Sequence, residues 1–542
     1  MRSPSATSSL LYVFLLSCCT APSALLTPPT IQILPISTKP WYRQPHLVKL
    51  NLHLFACMCY SSATGYDSSL MNGLQSLELW QVFMDHPTGG WRGFINAINI
   101  IGGLLGLSTV GYFTERFGRK VPLVFSITCI SLGAGLGAGA KNPAMFIMGR
   151  FFVGLGASYI LGAPLTIAEL AYPTHRGRAT SLYNCCYYLG SLIAAWVIYG
   201  TRHLNDWAWR TPTLLQCGIP CLLLIPTLLL PQSPRWLISR GRHQDARAVL
   251  VKYHAGGDES SVLVDFEMEE ISRTLELEKY AAKNGSWSLL WKTPGNRHRL
   301  FISITLGVFA QWNGVGVVSY YLSIVLNSVG ITSVTKQTLI NGFLQLWNLI
   351  CAVFSAVVVE SAGRRLLFLT SGVGMFVSYV FITALSGSFA NTGNSATGIA
   401  MIPFLFIYYG FYDIAYTPLL FAYPAEIWNY TNRARGLVVV QVSTFLALIF
   451  NLFVNSIALE NIQWKYYIVF LAILAGVILT TYFGYPETRG HTLEEMSRVF
   501  DKNEPVDVEA ERRVEDILNT MHDKAQDEHA EKTESVFEGG EK

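Results

Sequence analysis

Gly111-Tyr-Phe-Thr-Glu115-Arg116-Phe117-Gly118-Arg119-Lys120 has a counterpart further along the chain, Glu360-Ser-Ala-Gly363-Arg364-Arg365. Both read acid, two residues, Gly, Arg, basic residue, and each lies between two long apolar stretches. From Glu115 to Glu360 the offset is 245 residues. A second pair, Glu169 with Arg176 and Glu426 with Arg433, recurs at an offset of 257. A long hydrophobic chain written in two matching halves is the construction of many secondary transporters.

Composition agrees with a membrane class. The 542 residues are 51% hydrophobic and 14% charged, with mean hydropathy +0.34; soluble domains average about 25% charged. Charges gather in short clusters. Between them lie twelve runs of about 20 apolar residues, the length that crosses a bilayer core, the first near 48–70 and the last near 464–484. Twelve such runs argue against a large soluble protein with buried helices. Arg and Lys crowd 114–120, 174–178, 235–299, 364–365 and 433–435, whereas the alternate connections carry no basic cluster. The positive-inside rule puts the first set in the cytoplasm. An even number of spans puts both termini there too, in a multi-pass protein of the plasma membrane.

The expected fold is therefore an all-α membrane protein of twelve transmembrane helices in two six-helix bundles. Residues 1–45 read as a disordered leader, 46–234 as the first bundle, 235–299 as a cytoplasmic helical linker, 300–486 as the second bundle and 487–542 as a cytoplasmic tail. In the linker, Val264, Met268, Ile271 and Leu275 recur at steps of three and four, as on an amphipathic helix. Arg2, the apolar Leu10 to Leu16 and the small Ala21 and Ala24 resemble a weak signal peptide, to which no function is assigned. Eight of the ten Cys fall within spans, and no metal-ligand spacing occurs, so neither a disulfide framework nor a metal or cofactor site is expected. The net charge of +3 says nothing about partners, and no nucleic-acid partner is expected. No nucleophile–base set or cofactor loop argues for an enzyme.

Ionisable groups inside a span are costly, so each is a candidate by default. Asp67 lies in the first span and Arg150 opens the fourth. A carboxylate there needs a cation or must be protonated, and Arg150 is the cation at a compatible depth in the same half. Such a pair reads either as a proton switch, with Arg150 released when Asp67 is protonated, or as a static bond between helices. Asp413 lies in the tenth span with Tyr408, Tyr409, Tyr412 and Tyr416 close in sequence. It reads as a structural group satisfied by those hydroxyls, or as a lining of the cavity. Asn184, Gln311, Asn313, Asn348 and Asn451 are amides at membrane depth, accompanied by aromatic residues such as Trp347 and Phe421. Amides both donate and accept, as a neutral polyhydroxylated ligand requires; interhelical hydrogen bonding is the competing reading. The repeated charges Glu115, Arg119, Glu169, Arg176, Glu360, Arg364, Glu426 and Arg433 read as a cytoplasmic gate. Their bridges would favour an outward-facing state and break on opening inward.

From about residue 48 to 495 the chain resembles the sugar porters of the major facilitator superfamily, most closely the fungal lactose-permease-like and hexose-transporter branch. The resemblance rests on Gly65-Tyr66-Asp67, Gly111 to Lys120, Gly149-Arg150, Glu169 to Arg178, Trp209 to Pro212, Pro231 to Leu237, Gln311 to Tyr321, Glu360 to Arg365, Glu426 to Arg435 and Pro486 to Glu495, in this order. It implies sugar uptake by alternating access. It also implies a monomer whose partners are a small sugar, protons and the lipid bilayer. An Asp at position 67 paired with Arg150 leans toward sugar:proton symport, of lactose or another disaccharide or of a hexose. A facilitator without proton coupling, or a sugar sensor with the transporter fold, is the alternative. Family sugar contacts fall on Asn184, Gln311, Asn348, Phe421 and Thr444. Ala310 and Gly316, or Val315 under the lactose-permease-like pattern, replace amides of the usual seventh-span pattern, Phe421 replaces a Trp, and Glu115 replaces the commoner Asp. These departures argue against a standard glucose site.

Overall fold

The computed structural model describes residues 40–284 and 287–489, together with Met496, Val499 and Phe500. The leader up to residue 39, and the tail from 490 apart from those three residues, lie outside the described residues. Among the described residues the secondary structure is helical, with no strand.

Eleven helices are long and apolar enough to cross a bilayer. In chain order they are α2 (Gly89–Phe117), α3 (Lys120–Ala138), α4 (Pro143–Leu170), α5 (Arg176–Thr201), α6 (Trp207–Leu229), α7 (Pro294–Asn327), α8 (Val334–Ala362), α9 (Arg364–Thr392), α10 (Ser395–Ile427), α11 (Tyr430–Asn461) and α12 (Tyr466–Gly484). The helix before them, α1 (Pro45–Leu74), has 30 residues and so runs about 45 Å. It falls short in hydropathy because it carries Ser61, Ser62, Asp67, Ser69 and Asn72, all of them buried against protein. Polar groups are tolerated in a span when they face other helices rather than lipid, so α1 completes the twelve helices of a major facilitator fold.

The packing repeats between halves. Helix α1 lies along α5, α2 along α4 and α3 along α4; six helices later, α7 lies along α11, α8 along α10 and α9 along α10. The two most extensive contacts between the halves, α2 with α11 and α5 with α8, exchange under the same shift of six. Small residues allow this closeness. A Cβ on Gly190 of α5 would stand 1.8 Å from the carbonyl oxygen of Ser62 on α1, and one on Gly154 of α4 would stand 1.8 Å from that of Asn99 on α2.

Four short helices (Pro234–Ser239, His243–Tyr253, Val262–Asn284 and Leu289–Lys292) fill the connection between α6 and α7. Leu237, Ile238 and Ala246 of the first two pack against Met268, Ile271 and Leu275 of the third, the stripe that the spacing of three and four predicts. Val264, the remaining member of that stripe, is also buried.

Gly190→Ala should force α1 and α5 apart at a cost of about 1–3 kcal/mol. It should lower the unfolding temperature of the detergent-solubilised protein by several degrees. Gly476→Ala, where an added Cβ meets nothing within 4 Å, should leave it unchanged or slightly raised.

Candidate functional site

Asp67 of α1 is held by three other helices. Its Oδ1 pairs with Arg150 Nη1 of α4 and accepts from Gln216 Nε2 of α6 at 2.6 Å; its Oδ2 accepts from Asn99 Nδ2 of α2 at 3.0 Å. Asn99 also donates to the carbonyl of Arg150 at 3.4 Å, tying α2 to α4. Gln216 reaches in from the break in α6, between Trp207–Leu215 and Gly218–Leu229. Asp67 is 9% exposed and Arg150 6%. An ionised pair this deep persists only when its charges are matched and further hydrogen bonds serve the remaining lone pairs, and the two amides do that. The sequence pointed to the pair but not to Asn99 or Gln216, which are amides of the same kind as those it did single out.

One and a half to two turns beyond Asp67, α1 joins the other half. Asn72 Oδ1 accepts from the backbone N–H of Leu322 at 3.2 Å, and its Nδ2 donates to Asn341 Oδ1 at 3.4 Å. Gln75 Nε2 donates to the carbonyl of Tyr320 at 3.0 Å, and Asn96 Nδ2 of α2 to the hydroxyl of Tyr321 at 3.4 Å. This seal stands at the end of α1 remote from the basic loops. The sequence reading overlooked it.

Its partner, α7, is broken at Asn313–Gly314 into Pro294–Trp312 and Val315–Asn327. Asn313 Oδ1 accepts from the backbone N–H of Val315 at 3.0 Å and from the Tyr408 hydroxyl at 3.1 Å, while the Tyr379 hydroxyl donates to the carbonyl of Gly314 at 2.9 Å. Discontinuous helices near the midplane are where many secondary transporters form their sites.

The remaining amides divide. Asn184, partly exposed on α5, and Gln311, partly exposed on α7, form no side-chain hydrogen bond with another described residue. Asn348 of α8 is 1% exposed with its Oδ1 unpartnered. Asn184 and Asn348 adjoin Cys185 and Leu349, which meet where α5 packs on α8. Three candidates also make hydrogen bonds within the fold, and the Nδ2 of Asn313 is left without a partner among the described residues. Asn313 caps the break in α7, Asn451 Nδ2 donates to the carbonyl of Gln311 at 2.8 Å, and Thr444 Oγ1 donates to the carbonyl of Val440 on its own helix at 2.8 Å. Phe421 is 43% exposed. Asp413 is not satisfied by its neighbouring tyrosines. Tyr408 turns to Asn313, Tyr409 to Ser319 and Tyr412 to the carbonyl of Ala310, and Asp413 is met by Tyr188 of the opposite half and by Thr417 one turn along.

Residues 52–500 match the family described as "Sugar (and other) transporter". The chain belongs to the sugar transporter family. It is 26% identical over 486 residues to the "High-affinity glucose transporter" of Kluyveromyces lactis, an alignment covering 85% of this chain and 87% of that one. It is 28% identical over 404 residues to "H(+)/hexose cotransporter 2" of Parachlorella kessleri, covering 72% of each. Among solved structures it is similar in fold to the inward-open xylose transporter XylE of E. coli, with TM-score 0.68 and 22% identity, over 83% of this chain and 100% of that one.

In this sugar transporter family chain the repeated loops fold alike. Gly118 and Gly363 take φ of +81° and +82°, the left-handed region that favours glycine. Each turn sends the following arginine back over the helix end. Arg119 grips Glu169 with two bonds, at 2.8 and 2.6 Å, and donates to the carbonyl of Thr114 at 3.1 Å. Arg364 grips Glu426 at 2.9 and 3.2 Å and donates to the carbonyl of Val359 at 3.3 Å. The expected bridge from Glu115 is not what forms. Its side chain is exposed, and it is its carbonyl that accepts, from Trp236 Nε1 at 2.8 Å and from Arg240 at 2.6 Å. Arg176 is exposed at the start of α5, Arg433 is partly buried in α11, and the side chain of Glu360 lies outside what the structure describes. Arg119–Glu169 lies within the first half and Arg364–Glu426 within the second, and both are made here together with the contacts from α1 to α7.

The second half adds Glu487, whose carboxylate accepts four backbone N–H groups: Arg364 at 2.8 Å, Arg365 and Arg489 at 3.0 Å and Thr488 at 3.1 Å. Burial pushes its carboxyl upward, and these bonds outweigh that, holding it below the ordinary glutamate range. A depressed folded value gives stability that is full above the unfolded value and lost as pH falls through the folded one. Glu487→Gln should therefore lower the unfolding temperature at neutral pH. The gap to wild type should close as the pH is taken down through the acid range.

Proposed function

We propose that this transporter imports a neutral sugar together with protons by alternating access, with Asp67 and Arg150 as the proton switch. The observation that carries the reading is that one helix, α1, bears both the compensated carboxylate and the seal. Asn72 follows Asp67 by five residues, about 7.5 Å along the helix axis. With Asp67 ionised, Arg150, Asn99 and Gln216 fix α1 against α2, α4 and α6. Protonation removes the charge that Arg150 pairs with, and a buried arginine left without its carboxylate is strongly destabilised. The cluster must then rearrange, and Asn72 and Gln75 move with α1. A proton on Asp67 thereby changes the balance between the sealed and the open face.

For the substrate, Asn184, Gln311 and Asn348 supply amide groups not used by the fold, and the half-exposed Phe421 and Trp347 supply flat apolar faces. That donor and acceptor mix suits the hydroxyls of a neutral sugar and has no charge to hold an ionic solute. The names of relatives, a glucose transporter and a proton–hexose cotransporter, support the same class. Departures at Ala310, Gly316 and Phe421 favour a disaccharide or another sugar over a standard glucose site. We further propose that the basic loops and both termini face the cytoplasm of a plasma-membrane protein acting as a monomer.

Uptake of a panel of labelled mono- and disaccharides into cells lacking their own porters tests the reading. At least one sugar should accumulate above its external concentration. Asp67→Asn should bring the accumulation ratio down to about one, the uncoupled limit, while exchange of internal for external sugar persists. Undiminished accumulation by that variant at low external pH would overturn the switch. A chain that moves no sugar yet alters expression of other transporters would be a sensor.

A further inference from the structure

Asp413 is the other aspartate buried inside a span, and its surroundings are opposite to those of Asp67. It is 0% exposed. Its Oδ1 accepts from the Tyr188 hydroxyl at 2.5 Å and from Thr417 Oγ1 at 2.8 Å. Its Oδ2 is buried with no hydrogen-bond partner among the described residues. The titratable groups facing it are Tyr187 and Tyr188 from α5, Cys351 from α8, and Tyr409 and Tyr412 of its own helix. None is a cation. Asp67, by comparison, has Arg150 and two amide donors shared over both oxygens.

An ionised carboxylate in such a place would carry its charge with no counter-ion and with one oxygen wholly undonated. A buried group so placed neutralises instead. A neutral acid accounts for the asymmetry. Oδ1 is then the carbonyl oxygen, taking both hydroxyl donors, and Oδ2 carries the proton. Buried carboxyls in environments that drive their protonation apart are the usual mark of divided proton roles.

The position ties this group to movement. Tyr188 belongs to the first half and Asp413 to the second, and Tyr188 sits in the contact where α5 packs on Ala352 of α8. That contact closes the site to water. Separation of α5 from α8 and α10 would remove the Tyr188 donor and admit water to Oδ2.

We propose that Asp413 is a second proton site of this transporter, neutral while α5, α8 and α10 are packed together and ionised when they part. On opening, the O–H bond at Oδ2 breaks and its proton passes to the entering water; on closing, a proton is taken up again before the carboxyl is buried. No electron transfer is involved. Its contribution to coupling rests on the proton-coupled reading above, whereas the protonation itself does not.

Infrared spectroscopy of the full-length chain in lipid vesicles, without substrate, reads the protonation directly. At neutral pH the carbonyl stretch of a protonated carboxylic acid should be present in the wild type and in Asp67→Asn. It should lose the intensity of one carboxyl in Asp413→Asn. Tyr188→Phe, which keeps the acid and removes a donor to Oδ1, should move the band to higher frequency. Superimposable spectra of wild type and Asp413→Asn would overturn the proposal. Should that variant not insert, an unmoved band in Tyr188→Phe would overturn it equally. Alkalinisation driven by a transported sugar, in the same vesicles, reads coupling separately. A carboxyl band without proton movement would uphold Asp413 and overturn the coupled reading instead.

Discussion

A carboxylate buried in the first helix must be paid in hydrogen bonds, and the first half of the molecule is arranged to supply them. Arg150 gives the charge, Asn99 and Gln216 the remaining donors, and they come from three different helices. Bringing three helices to one oxygen pair requires backbones in contact. Gly154, one turn beyond Arg150, has no room for a Cβ against the carbonyl of Asn99, so the glycine that closes α2 on α4 also sets the amide that holds Asp67. Gln216 reaches the same carboxylate because α6 is interrupted there. The cost of a buried charge thus connects a glycine, a helix break and an amide that otherwise have nothing in common.

The two halves are alike where they bear on conformation and unlike where they bear on chemistry. The motif Gly–Arg turns, the grip on a glutamate and the bond to a carbonyl five residues back recur 245 residues apart. A carboxamide, Gln232, approaches Gly118 where the carboxylate Glu487 approaches Gly363, so even this likeness is tuned by charge. In the membrane the halves diverge. The first contains an aspartate with its cation; the second contains an aspartate without one and a helix broken at Asn313–Gly314. Two rigid bodies related by a repeat, with the unlike groups where they meet, is the arrangement that alternating access needs.

The fold was largely legible because it follows from quantities that lie along the chain: run length, hydropathy and the placement of Arg and Lys. The single helix that departs from the hydropathy rule, α1, does so because its polar residues face inward, and the apolar run at 48–70 was still long enough to be recognised. Asp67 and Arg150 were legible as charges out of place. Asn99 and Gln216 were not, because nothing in a sequence distinguishes an amide that holds a carboxylate from one that meets a sugar or another helix. The same ambiguity covers Asn313, Asn451 and Thr444: the Oδ1 of Asn313 serves a helix break while its Nδ2 is unpartnered among the described residues, Asn451 donates to a carbonyl, and Thr444 donates to its own helix. The partner of Asp413 was hidden for a different reason. Tyr188 lies 225 residues away in the other half, and only the packing of α5 on α10 brings them together, while the tyrosines adjacent in sequence point to other groups.

The central claim is that the protonation state of Asp67 sets the seal between α1 and α7. A distance across the sealed face tests it without any assumption about the sugar. Spin labels at Val82→Cys and Thr332→Cys, both at exposed positions on that face, would report it by pulsed electron resonance in lipid vesicles. The account predicts that adding Asp67→Asn shifts the distribution toward longer distances, and that acidification does the same in the labelled protein with Asp67 intact. Identical distributions in both proteins at every pH would contradict it.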